Sequence, residues 1–131
     1  MEINYMAVLV AGVANMVLGA IWYGPLFCKQ WMALSGMTKE KIEKAKPNMN
    51  TLYAAGFIVS LVMAYVLAWF VGVAESMDAA LMTGFWLWLG FIATVTAGNV
   101  LWKGEPRQLW MLDNGYRLLA LLVMSAILFS M

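Results

Sequence analysis

Asp113 and Arg117 stand four residues apart inside an otherwise apolar run. On a helix that spacing places both on one face, within reach of each other. An ionisable group inside a membrane segment is costly unless it is paired or can reach the interface. Two chemistries fit. One is an ion pair that orients the helix at the interface, with Arg117 snorkelling to the headgroups. The other is the charged lip of a cavity, with Asn99 and Asn114 as hydrogen-bonding groups. Asn15 sits in the middle of the first apolar run. A buried amide there bonds another helix or faces a pore or ligand. Trp22 and Tyr23, just before Gly24-Pro25, either anchor a helix end or line a site with the Asn99 end of the third run.

Other chemistry is absent. The chain has no His and a single cysteine, Cys28. It therefore lacks the commonest metal ligand and the usual general base, and it forms no intramolecular disulfide. There is no Ser/His/Asp or Cys/His set and no phosphate loop. Glu105 and Asp113 fall on the same expected side of the membrane at a spacing that promises nothing. The expectation is a protein that is not an enzyme and has no metal or cofactor. A net charge of +1 gives no case for nucleic-acid binding.

The elements that position these residues follow from composition. Of 131 residues, 64% are hydrophobic and 11% charged, against about 25% charge in a soluble domain. Uncharged stretches run between Glu2 and Lys29, Lys46 and Glu75, and Asp78 and Lys103, and from Arg117 to the end. A spanning helix needs about 20 mostly apolar residues. The reading is an all-α, integral membrane bundle of four transmembrane helices forming a single domain over 1–131, with spans near 3–23, 52–73, 79–102 and 109–129. The first span has no basic residue before it and too long an apolar region for a cleaved signal peptide. Lys29, Lys39, Lys41, Lys44 and Lys46 lie in the first connection, and Lys103 and Arg107 in the third. Positive charge marks the cytoplasmic side, so both termini are expected outside (N-out/C-out). In the cytoplasmic loop 24–51 a short amphipathic helix is expected over Met37–Lys46, capped by Thr38, stopped by Pro47 and braced by Glu40 with Lys44. Its lysines would lie at the lipid headgroups. Asp78, beside Glu75 in the outer turn, can cap the third helix.

Small residues recur at fourfold spacing. They are Ala7, Ala11 and Gly19 with Asn15 in the first span, Gly56, Ser60, Ala64, Ala68 and Gly72 in the second, and Gly90, Thr94 and Gly98 in the third. In lipid, close backbone approach drives helix association, so these are packing faces. Three such faces among four helices can leave one over, and a homo-oligomer is expected. Tyr23, Trp31, Tyr53, Trp102 and Trp110 fall at the expected cytoplasmic ends and Tyr5 and Trp69 near the outer ends, as an interfacial belt does. Trp86 and Trp88 lie inside the third span and are read as facing lipid or filling the bundle. A weak parallel repeat sets Gly19, Trp31, Met32 and Gly36 against Gly98, Trp110, Met111 and Gly115.

The run Leu18-Gly19-Ala20-Ile21-Trp22-Tyr23-Gly24-Pro25-Leu26-Phe27, then Trp31-Met32, Ser35-Gly36-Met37-Thr38, Gly98-Asn99-Val100-Leu101-Trp102 and Asp113-Asn114-Gly115-Tyr116, resembles the small bacterial membrane proteins grouped as domain of unknown function seventeen-sixty-one. The resemblance covers essentially the whole chain. It implies a multi-pass protein of the bacterial inner membrane and brings no substrate or catalytic residue. The functional expectation is a non-enzymatic oligomeric module whose partners are membrane lipids or a lipophilic small molecule. The alternatives are a small transporter or channel, or an accessory subunit of a larger membrane complex. The absence of an acid in the first span argues against proton coupling through that helix.

Overall fold

The computed structural model describes residues 2–131. Helix α1 (Tyr5–Ile21) runs into a π-helical turn, Trp22–Leu26. Two short helices follow, α2 (Cys28–Ser35) and α3 (Lys39–Ala45), and then α4 (Met49–Val71). The third span is α5 (Met77–Leu87), a π-helical turn at Trp88–Ala93, and α6 (Thr94–Lys103). Helix α7 (Arg107–Ser130) closes the chain. No strand occurs among the described residues. Four helical stretches are long and apolar enough to cross a membrane: Tyr5–Leu26, Lys39–Val71, Met77–Lys103 and Arg107–Ser130.

Successive spans alternate in direction. Asn4 Nδ2 donates to the carbonyl of Met131 at 3.1 Å, while Trp22 at the other end of the first span bonds Leu112. The α1–α4 connection and the α6–α7 turn therefore share one end, which carries every basic side chain except Arg117. We call it the basic end.

The first connection differs from its expected form. Thr38 does cap α3, its hydroxyl accepting from Lys41 N at 3.2 Å. Pro47 does not stop the helix. It sits in a 3-10 turn, Lys46–Asn48, that joins α3 to α4 without a break. Proline is tolerated in the first turn of a helix, where its missing N–H is not needed. At 1.5 Å per residue the 33-residue stretch is about 50 Å long. That exceeds the roughly 30 Å hydrocarbon core. The one ion pair among the described residues is Lys46–Glu43 at 3.4 Å, not Glu40–Lys44. Helix α2 was not anticipated; Gly36 ends it in the left-handed conformation (φ 75°). The third span is capped by Ser76, whose hydroxyl accepts from Ala79 N at 3.1 Å. Asp78 lies in the first turn instead of at the cap.

Two of the three small-residue faces meet within the chain. Ala7, Ala11 and Asn15 of α1 and Ser60 and Ala64 of α4 are all buried. They let α1 and α4 pack closely, and Val8, Leu67, Val71, Ala80, Leu121 and Met124 complete the core. A second close approach lies between α5 and α7. A Cβ on Gly84 would stand 2.6 Å from Ser125 Oγ and 3.1 Å from the Leu121 carbonyl, so only glycine fits. The Gly90–Thr94–Gly98 face is not used: Gly90 and Thr94 are exposed, and nothing lies within 4 Å of where a Gly90 Cβ would point. Trp86 faces outward at 58% exposure. Trp88 packs against the core, and its indole N–H has no partner among the described residues.

Candidate functional site

Of the candidate residues, Asn15, Trp22, Tyr23, Asp113 and Arg117 gather where α1 and α7 meet, toward the basic end. Pro25 has no N–H to continue the α-helical ladder. The chain widens into a π turn, and Phe27 N closes it on the carbonyl of Trp22 at 3.0 Å. At Phe27 the backbone leaves the helical region (φ −130°) and α2 begins. Pro25 thus lies inside the last turn of the first span, neither ending that span nor starting the next helix.

This turn aims Trp22 and Tyr23 at α7. The Trp22 indole donates to the Leu112 carbonyl at 3.1 Å and packs at a tilt against Phe27, with centroids 4.7 Å apart. Its ring lies against Gly115, where a Cβ would stand 3.2 Å from the indole. Tyr23 donates to Asp113 Oδ1 at 2.6 Å. Its ring meets Trp31 of α2 edge-on at 5.8 Å and Tyr116 at 5.5 Å.

The expected Asp113–Arg117 ion pair is not formed; no contact between them falls within 4.0 Å. Asp113 is held instead by a hydroxyl from another helix. Arg117 is half-buried and has neither a hydrogen bond nor an ion pair among the described residues. Both charges continue the inward stripe of α7. Arg117 lies one turn before Leu121, which with Met124 belongs to the core at 4% and 0% exposure. Arg117 also stands within electrostatic range of the Tyr23 and Tyr116 hydroxyls.

Asn15 is 8% exposed and joins three helices. Its Nδ2 donates to Ser60 Oγ at 2.7 Å, and Ser60 donates onward to the Gly56 carbonyl at 2.9 Å. The Tyr116 hydroxyl donates to Asn15 Oδ1 at 2.6 Å and lies 3.0 Å from the Asn15 carbonyl. Asn15 is therefore interhelical glue. Ser60 and Tyr116, its partners, were not singled out from the sequence.

Asn114 forms a second polar node, on the far side of α7 from α1. It is 2% exposed. Its amide donates to Thr96 Oγ1 and to the Trp110 carbonyl, both at 3.0 Å. The Trp110 indole donates to the same Thr96 oxygen at 3.1 Å, and Thr96 donates to the Ile92 carbonyl at 2.6 Å. Thr96, also unforeseen, is the centre of this node. Asn99 does not join the corner: its carbonyl accepts from Gly104 N and from Glu105 N (3.2 Å), ending α6, and its side chain has no partner among the described residues. Neither Asn114 nor Asn99 is hydrogen-bonded to Asp113.

What does open at the basic end is a groove of about 450 Å³ between α1, α4 and α7. Met16, Gly19, Ala20 and Gly24 form its apolar side, and Asn15, Tyr23, Tyr53 and Tyr116 supply polar groups. A groove of about 420 Å³ at the other end of the α1–α4 seam is lined by Tyr5, Val8, Leu9, Leu61, Val62 and Tyr65, and carries polar atoms only on its two tyrosines.

The fold and these nodes define an all-helical protein with four membrane-capable spans, fastened by buried amide, hydroxyl and indole groups. Within that class the chain belongs to the family described as "Protein of unknown function (DUF1761)", whose model matches residues 6–129. No curated protein and no solved structure matches the chain.

Proposed function

We propose that this protein is a non-enzymatic, multi-pass inner-membrane module that binds a lipid or lipophilic small molecule in the α1–α4–α7 groove. The observation that carries the reading is the groove itself. Its volume of about 450 Å³ lies within the range of about 300–1,000 Å³ typical of ligand pockets. It pairs an apolar floor with a few converging polar groups, as such pockets do. The basic end faces the cytoplasm, since positively charged loops stay on that side, and both termini face out. The open Gly90–Thr94–Gly98 face supports a homo-oligomer, because small-residue faces in membranes let backbones approach closely.

Native mass spectrometry of the protein released from lipid nanodiscs tests this. The expected result is an oligomer with a reproducible added mass. Ala20→Phe, which fills the groove from an exposed position, removes that mass. Leu9→Phe, on the surface near the other end, keeps it. Protein with no added mass, or mass unaffected by Ala20→Phe, overturns the groove as a binding site.

A further inference from the structure

Two charges of the inward face of α7 lack the partners that buried charges require. Arg117 has none at all among the described residues, and Asp113 has a hydrogen bond to one oxygen only, from Tyr23. They do not neutralise each other directly. A half-buried guanidinium within a membrane span calls for an acceptor, and its planar fork suits the oxygens of a phosphate. Asp113 is four residues nearer the basic end, about 6 Å along the helix axis. The order from the membrane interior outward is therefore cation, then anion.

An amine-bearing phospholipid presents the complementary order. Its phosphate adjoins the glycerol, and its ammonium lies two carbons further toward water. The geometry points to a zwitterionic aminophospholipid, of the phosphatidylethanolamine class, with its phosphate on Arg117 and its ammonium on the free oxygen of Asp113. The rings of Tyr23, Trp31 and Tyr116 crowd the same spot and add cation–π attraction for the ammonium. Neither charge lines the groove, but Tyr23, bonded to Asp113, and Tyr116, which precedes Arg117, do wall it, so an acyl chain in the groove leaves the headgroup beside the charges. The inference thus rests on the proposed groove and names its ligand class. A headgroup with a phosphate but no amine would pair with Arg117 and leave the free oxygen of Asp113 without a counterpart.

The test uses the full chain in nanodiscs of equimolar phosphatidylethanolamine and phosphatidylglycerol, with retained lipid identified by native mass spectrometry. Wild type should retain phosphatidylethanolamine over phosphatidylglycerol by roughly tenfold, the scale of one charged hydrogen bond. Asp113→Asn should abolish that preference but keep retention of phosphate-bearing lipid. Arg117→Gln should lose both lipids, and Arg117→Lys, which keeps the charge if the glutamine variant fails to fold, should keep the preference with weaker retention. Exchanging the two charges (Asp113→Arg with Arg117→Asp) preserves the net charge and should destroy the preference. A merely interfacial anchor would leave lipid selectivity unchanged in every variant, and that result overturns the inference. Lipid retained in the groove without headgroup preference, or an added mass that is no phospholipid, overturns the headgroup assignment alone. Failure of Ala20→Phe to displace anything overturns the groove as well. Binding of soluble glycerophosphoethanolamine in detergent as tightly as the lipid would overturn the membrane as its source.

Discussion

The Asn15 node offers the sharpest test of how this bundle is held together. Asn15→Leu keeps the approximate size of the side chain and removes both of its interhelical bonds, at 2.7 Å to Ser60 and 2.6 Å from Tyr116. Hydrogen bonds between membrane helices average about 0.6 kcal/mol and reach about 1.7. Two of them give a loss of about 1.2 kcal/mol, with about 3.4 as the ceiling. The low end is favoured, because neither partner is orphaned. Tyr116 keeps the Asn15 carbonyl at 3.0 Å, and Ser60 keeps that of Gly56 at 2.9 Å. Ser60→Ala and Tyr116→Phe should each lose about 0.6 kcal/mol, and each combined with Asn15→Leu should lose less than the sum of the two single losses. Equilibrium unfolding in mixed micelles by increasing the fraction of denaturing detergent supplies these free energies. An Asn15→Leu protein as stable as wild type, or single losses that simply add, would refute the node.

Three further outcomes are expected. Tyr23→Phe and Asp113→Asn should be non-additive in stability, whereas Asp113 and Arg117 substitutions should add, because Asp113 is bonded to Tyr23 and not to Arg117. Gly84→Ala should cost about 1–3 kcal/mol through overpacking, and Ser125→Ala should recover only part of it, since the Leu121 carbonyl stays 3.1 Å from the new methyl group; chemical denaturation measures both. Cys28, at the basic end, should resist a membrane-impermeant maleimide in intact cells and label after lysis, and labelling from outside would reverse the orientation.

Charge placement made the four spans legible, because charged residues bracket each apolar run. The small-residue rows of α1 and α4 were readable as packing faces because fourfold spacing lines them along one side of a helix, where backbones can approach closely. The polar nodes were half visible. Asn15 stands out in an apolar run, but its partners Ser60 and Tyr116 do not: serine in a small-residue row reads as packing, and tyrosine near a span end reads as belt. Asp113 was misassigned because spacing along one helix counts only neighbours on that helix. Tyr23 arrives from another span, brought by a π turn that no periodicity announces. Pro47 looked like a stop because its position in the first turn of a continuing helix depends on the backbone beyond it.

The π turn of the third span bears on how its length can change over time. Gly84 and Thr96 both face α7, fastened near Ser125 and Asn114. They are twelve positions apart, while Asn114 and Ser125 are eleven apart. Eleven residues make close to three α-helical turns, and a twelfth adds about 100° of rotation. The wider turn at Trp88–Ala93 absorbs that extra residue, so both fastenings point the same way. Such a turn holds one residue more than the same stretch of α-helix would. A chain with one of the exposed residues Leu89, Gly90 or Phe91 deleted should therefore still assemble, with the third span a plain α-helix. The same deletion inside α7 between Asn114 and Ser125 would rotate one fastening away from its partner.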